Sequence, residues 1–294
     1  MLIQQKLEYL DTLSPNEKIV AQYIINHKED IKHLSINEIA KKTYTSPSTT
    51  VRLSQKLGFN GWKELKESYL EELNYIQAHF QDIDPNIPFT SHDTIQDISF
   101  KIATLLSDAI FDTAQLLHHD DLQKATYFLN QAENIYIFAI TNTASIVYDF
   151  AYKMRFLYKK VTIIENPEEF HFALRMCKKQ DCCIFISYSG ETFEIFDTLP
   201  LIKKLPCHTI SITSLGDNSL KTCTECHLNI STREKLYSKI GHYVSNESIH
   251  YILDTLYSCI FKIDYEKNWE RKLLLSKAID SDRRSSVSIL QEKE

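Results

Sequence analysis

The stretch Cys182-Cys183-Ile184-Phe185-Ile186-Ser187-Tyr188-Ser189-Gly190-Glu191-Thr192 decides how the larger part of this chain folds. It opens with an uninterrupted apolar run, too short for an ordinary helix and suited to a strand buried on both faces. The run breaks at once into hydroxyls and a glycine, and a helical pattern follows. With Cys182 to Ser187 as one strand, comparable runs lie at Ile135 to Ile140, Val161 to Glu165, His208 to Thr213 and His227 to Ile230, most of them separated by helical patterns. This alternation predicts an α/β domain, a mainly parallel sheet covered by helices on both faces. Ligands bind such sheets at the C-terminal ends of the strands. Three hydroxyls on Ser187, Ser189 and Thr192, the amides of a helix start, and Gly190 permitting close approach suit a phosphate with no Lys or Arg. On spacing alone, an ordinary serine-capped strand-to-helix turn serves equally well.

Upstream, residues 1–80 carry only helical patterns, which predicts an all-α domain. Ser14-Pro15-Asn16-Glu17 reads as an N-cap, a proline at the first helical position and a glutamate at the third. Ser35-Ile36-Asn37-Glu38 opens another helix, and Ser46-Pro47-Ser48-Thr49 opens the next 11 residues later, the spacing of a helix-turn-helix. Ile36, Ile39, Ala40, Val51, Leu53 and Leu57 would pack the pair. Ser46, Ser48, Thr49, Thr50 and Arg52 start the second helix with side chains able to reach base edges, and Lys42, Lys56 and Lys63 lie where phosphates would be met. Between residues 41 and 66 stand six bases and a single acid, Glu64, in a chain whose net charge is -6. A solvated lysine face explains a generic cluster of this kind, whereas two cap signals at this spacing favour DNA. Pro85 and Pro88 place a linker at residues 81–92. The second domain then spans 93–268, with helices near Thr94 to His118, Asp121 to Gln131 and Tyr243 to Tyr265. A polar tail, residues 269–294, is expected to be partly disordered.

The 294 residues suit two domains, and 43% hydrophobic with 24% charged residues excludes a rod, a collagen-like chain or a disordered one. No apolar run reaches the length of a membrane span, and the amphipathic N-terminus is not a secretory signal. A cytoplasmic protein with seven reduced thiols follows. Cys223-Thr224-Glu225-Cys226-His227 spells the haem-attachment pattern, but without export, and with no second thiol pair to complete a zinc site, core thiols are the better reading. His118-His119-Asp120-Asp121 reads as a capped helix junction. No cofactor and no metal are expected.

The stretch from Leu13 to Glu17 and that from Val51 to Lys66 together resemble the N-terminal domain of RpiR-type transcriptional regulators. Ser187 to Thr192 is similar to the signature of the SIS domain, the sugar-isomerase-type fold found behind that helix-turn-helix. The resemblance implies a phosphosugar-responsive regulator of carbohydrate metabolism or uptake genes, acting on operator DNA as a homodimer or homotetramer. It also implies phosphosugar contacts from Thr143, Ser187, Ser189, Gly190, Glu191, Thr192 and Glu247. Three departures stand out. Tyr44 occupies a turn where glycine is usual, Ala139 and Thr141 replace preferred glycines in the first ligand loop, and Asn246 stands where arginine is common. The alternative within the same fold is a phosphosugar isomerase, with Glu191, Glu247, His171 and His250 as candidate bases. Such an enzyme has no evident use for a basic helix-turn-helix.

Overall fold

Ser14 accepts a hydrogen bond from Glu17 N while the Glu17 carboxylate takes Ser14 N, and this reciprocal cap starts helix α1, Pro15–His27. A 3-10 turn, Lys28–His33, follows it. An equivalent cap from Ser35 and Glu38 starts α2, Ile36–Lys42, and Pro47 begins α3, Pro47–Lys56. Helix α4, Trp62–Ala78, completes the first domain. These are elements of a computed structural model that describes residues 3, 6, 7, 13–78 and 83–279. The domain closes over Val20, Ile24, Ile31, Ile39, Leu53, Leu65 and Tyr69, one apolar cluster shared by all its helices.

Helix α2 ends at Tyr44, whose φ is 53°, and Thr45 N donates to Ala40 O at 2.9 Å. That is the closure in which glycine normally fills the left-handed position. Tyrosine there costs about 1 kcal/mol, and its side chain is 97% exposed. Gly58 (φ 93°) ends α3 in the same way, with Phe59 N donating to Ser54 O.

Glu17 also accepts from Lys56 Nζ at 2.7 Å, with its own side chain only 3% exposed. Burial raises the pKa of this carboxyl, but hydrogen bonds from Lys56 and Ser14 outweigh that effect and leave it below the ordinary glutamate value. A depressed folded-state pKa gives stability that is present above the unfolded value and is lost as pH falls through the folded one. Glu17→Ala is therefore expected to destabilise the first domain by about 1–2 kcal/mol at neutral pH. The wild-type advantage should shrink on acidification, as read by thermal unfolding at neutral and acidic pH.

Residues 83–94 form no helix or strand, consistent with the two prolines there; Gln81 and Asp82 of the expected linker lie outside the described residues. Helices α5, Ile95–Leu116, and α6, His119–Gln131, lead into the sheet, and Asp120 and Asp121 sit in the first turn of α6. Strands β1 (Asn134–Phe138), β2 (Lys160–Ile164), β3 (Cys182–Ile186), β4 (His208–Ser214) and β5 (Cys226–Ile230) are all parallel, in the order β2-β1-β3-β4-β5. Central β3 is buried at every residue, as its apolar run requires. One face packs against α6, α7 (Asn142–Arg155) and α11 (Tyr243–Ile263). The other face is covered by α8 (Pro167–Met176) and two single turns, α9 (Phe193–Phe196) and α10 (Leu199–Ile202).

The stretch expected as a tail from residue 269 is helical as far as Ile279. Helix α12, Tyr265–Ile279, starts after a break at Asp264, and residues 280–294 lie outside the described residues. Asn268 donates to Phe261 O at 3.0 Å, and the Arg271 guanidinium lies 4.2 Å from the Tyr158 ring centre. Polar anchors of this kind leave no apolar periodicity to read.

Candidate functional site

In the first domain, α3 presents Ser48, Arg52 and Gln55 to solvent at the i, i+4, i+7 spacing of one helical face. Ser46, Lys42 and Lys63 are exposed around it, and Lys63 lies 4.0 Å from Glu67. Three expected contacts need correction. Thr49 and Thr50 are buried at 1% and 0% exposure, because they sit on the face of α3 that meets α1 and α2, so they pack the domain and are not on its surface. Lys56 is held by buried Glu17, which makes it a strut between α3 and α1. Gln55 was not singled out from sequence, although counting seven residues on from Ser48 reaches it.

In the second domain, the signature loop bonds to itself. Ser187 Oγ and Thr192 Oγ1 are 2.6 Å apart, Gly190 N donates to Ser187 Oγ at 3.1 Å, and Glu191 N donates to Ser189 Oγ at 3.1 Å. Gly190 has φ 67°, and a Cβ there would lie 2.2 Å from Asn218 Oδ1. Only glycine fits both the backbone and the neighbour. Gly190→Ala is accordingly expected to distort the loop and abolish whatever anion binding it supports, while far-ultraviolet circular dichroism stays close to wild type.

Two expectations about this loop change. The helix after it is a four-residue turn, followed by a second turn that opens at Leu199-Pro200; what the loop has to offer an anion is hydroxyls and loop amides, not a long helix dipole. Glu191 is exposed, and its Oε1 accepts from Ser219 N at 2.6 Å. It thus fastens the loop after β4 rather than facing inward.

The loop after β1, expected as the first ligand loop, keeps a glycine-like backbone despite its residues. Thr141 has φ 54° and ψ -127°, a conformation that costs a non-glycine residue about 1–3 kcal/mol. Ala139 is fully buried, and Thr143 Oγ1 donates to Ile140 O at 2.7 Å. Asn142 Nδ2 donates to Asn246 Oδ1 at 2.8 Å, which ties α7 to α11.

A cleft of about 470 Å³ between these helices is lined by Ser145, Ile146, Asp149, Lys153, Asn246, Glu247 and His250. Lys153 Nζ lies 2.5 Å from both Asp149 and Asp254, and His250 Nε2 lies 3.3 Å from Asp149. Lys153, with lesser help from His250, holds Asp149 below its ordinary value. Of the candidate isomerase bases, only Glu247 and His250 share this cleft; His171 pairs with Asp197 on α8's side of the sheet.

Tyr188, inside the signature, connects the loop to the rest of the molecule. Its hydroxyl donates to Glu234 O at 2.7 Å and accepts from Glu234 N at 3.0 Å. The buried Glu234 carboxylate accepts from Val244 N and Ser245 Oγ, both at 2.7 Å, capping α11, and pairs with Lys239 at 3.1 Å. The same segment grips the linker: Lys235 N donates to Asn86 Oδ1 at 2.6 Å, Asn86 Nδ2 to Arg233 O at 3.3 Å, and Ile240 N to Asn86 O at 2.9 Å. A further contact joins the domains, with Lys6 Nζ 3.0 Å from Asp217, next to the Asn218 that packs on Gly190. Lys6 holds the Asp217 carboxyl below its ordinary value.

The haem-like pattern resolves into structure. Cys226 Sγ donates to Asp121 O at 3.3 Å, and His227 Nδ1 lies 3.1 Å from Ser211 Oγ and from Thr224 Oγ1.

Comparison with known proteins matches residues 1–75 to the helix-turn-helix domain of the rpiR family and residues 128–257 to the SIS domain. An uncharacterized HTH-type transcriptional regulator of Caldanaerobacter subterraneus is 26% identical over 258 residues, 88% of this chain and 89% of the relative. The HTH-type transcriptional regulator GlvR of Bacillus subtilis is 26% identical over 228 residues, 77% and 82% of the two chains. Among solved structures, Vibrio vulnificus NanR complexed with ManNAc-6P shares the fold with a TM-score of 0.61 at 19% identity, covering 96% of this chain and 99% of that one. The sugar isomerase domain of an RpiR transcription factor from Sphaerobacter thermophilus superposes with a TM-score of 0.54 at 14% identity, over 63% and 99%.

Proposed function

The chain belongs to the RpiR-type transcriptional regulators, and from that premise we propose that a sugar phosphate held by the signature loop controls how α3 reads operator DNA. The regulated genes serve carbohydrate metabolism or uptake. The phosphate accepts hydrogen bonds from Ser187, Ser189, Thr192 and the loop amides around Gly190, while the sugar extends toward Thr143 and Glu247. On DNA, Arg52, Gln55 and Ser48 meet base edges, and Lys42, Ser46 and Lys63 meet phosphates. The protein works as a homodimer or homotetramer, since a two-fold operator is read by a two-fold protein. It works in the cytoplasm; no helix among the described residues is long and apolar enough to cross a membrane.

The observation that carries this reading is the clip from Tyr188 through Glu234 to Asn86. Through it, a change in the signature loop is felt at the cap of α11 and at the linker to the DNA-reading domain. A ligand shifts an equilibrium only through its differential affinity for two states, and the clip gives the loop two neighbours with which to express that difference.

A panel of hexose, hexosamine and pentose phosphates, including ManNAc-6P, tests the proposal. One member should bind at micromolar concentration, alter the gel shift of DNA taken from beside the protein's own gene, and be recovered unchanged. Aldose–ketose turnover without any effect on DNA would favour the isomerase.

A further inference from the structure

Three of the seven thiols, Cys177, Cys183 and Cys207, come from three different elements and meet with their sulfurs turned toward one another. Cys177 ends α8, Cys183 is the second residue of β3, and Cys207 immediately precedes β4. Cys177 and Cys183 Sγ are 3.4 Å apart, Cys183 and Cys207 Sγ are 3.6 Å apart, and all three sulfurs lie within 4.8 Å of one another. Each residue is buried, with exposures of 7%, 0% and 2%. Adjacent Cys182 faces the opposite side of the sheet and belongs to the other core, so the convergence is specific to one face.

Thiols that merely fill core volume pack against carbon. Here each sulfur has another sulfur as a neighbour, and Cys177 also donates to Ala173 O at 3.3 Å. An ion about 2.3 Å from three thiolates needs sulfur separations of roughly 3.8–4.0 Å. The Cys177–Cys183 and Cys183–Cys207 separations reach that value by opening a few tenths of an ångström. Residues Lys178, Lys179 and Gln180, directly after Cys177, are exposed, so the cluster lies one residue from the surface.

We propose that these three cysteines bind one thiophilic metal ion, Cu(I), at the N-terminal edge of the sheet, the end opposite the signature loop. Soft thiolates select Cu(I) and Zn(II). Zinc in a closed structural site takes four protein ligands, and among the described residues no His, Asp or Glu completes this group of three. Three-coordinate Cu(I) needs no fourth ligand. On binding, each sulfur–copper bond replaces an S–H bond, the protons pass to solvent, and no electron is transferred. Affinity therefore rises with pH.

The test is anaerobic titration of the full chain with Cu(I), delivered as its acetonitrile complex against a chromophoric chelator. One equivalent should bind, thiolate-to-copper absorption should appear in the near ultraviolet, and the unfolding midpoint should rise by about 5 °C at a hundredfold excess over Kd. Cys183→Ser should weaken binding at least 100-fold, whereas Cys259→Ser, a change at a thiol outside the cluster, should not. If Cys183→Ser fails to fold, Cys177→Ala with Cys207→Ala gives the same comparison. Equal copper uptake by wild type and cluster variant would overturn the site. Stoichiometric Zn(II) with no competitive Cu(I) binding would overturn the assignment of the ion.

Discussion

Changing Ser189 and Thr192 together to alanine is expected to weaken sugar-phosphate binding by about two to four orders of magnitude, because each hydroxyl, in the proposed site, would give the phosphate a charge-assisted hydrogen bond worth about 1.5–3 kcal/mol. Thr192 also bonds Ser187 within the loop, so its removal leaves Ser187 with one partner fewer as well. Operator binding measured without sugar phosphate should stay at the wild-type level, since among the described residues neither side chain bonds to the first domain. Calorimetric titration with the tightest binder of the panel gives the first quantity and a gel shift the second. Undiminished titration in the double variant would place the phosphate elsewhere in the molecule.

The second large effect lies on α3. Arg52→Ala is expected to cost operator binding about 1–3 kcal/mol, or roughly 5- to 150-fold, and to relax preference at the base pair it reads. Gln55→Ala should act at a neighbouring base pair with a similar range. Lys63→Ala should instead weaken all sequences alike and lower the salt dependence by about one phosphate contact. Thr50→Val makes a useful contrast. Thr50 Oγ1 is buried and has no hydrogen-bond partner among the described residues, so an isosteric apolar side chain should leave DNA affinity unchanged and stability equal or slightly higher. Fluorescence anisotropy on matched operator and scrambled duplexes separates these behaviours.

The same helix shows how far sequence reading reaches. That Arg52 lies on the solvent face of α3 was legible from helix register. Thr49 and Thr50 were misplaced because threonine suits both a base edge and a packed helix face, and only the direction of the helix relative to α1 and α2 separates the two. Lys56 looked like a phosphate contact until the fold brought Glu17 to it from 39 positions away. The parallel sheet was readable from short apolar runs, since strands buried on both faces must be apolar throughout. Strand ends differ by one or two residues, because backbone pairing takes in flanking polar residues such as Asn134, Lys160 and Ser214 that apolar runs do not mark.

In the second domain, the strand-to-loop break at Ser187 was legible because its hydroxyls and glycine are local in sequence. Gly190 is required by a side chain far along the chain, Asn218, and that part of the reason was invisible. The Tyr188–Glu234–Asn86 clip had no local signal at all. It depends on contacts 46 and 149 positions apart, and its members, read one at a time, look like ordinary loop residues. Thr141 marks an intermediate case. The loss of glycine was visible, whereas the persistence of a glycine-like backbone beneath it was not.

Control of DNA reading by the signature loop, through the clip on the linker, is the step on which the proposed function stands. It is tested most directly by measuring operator Kd with and without saturating sugar phosphate, in wild type and in Asn86→Ala. Wild type should shift by at least about 5-fold, the lower end of ordinary coupling between sites. The variant should keep both separate affinities while its shift falls below about 2-fold, since it loses the bonds to Arg233 and Lys235 but neither binding surface. A full wild-type shift in Asn86→Ala would contradict the account.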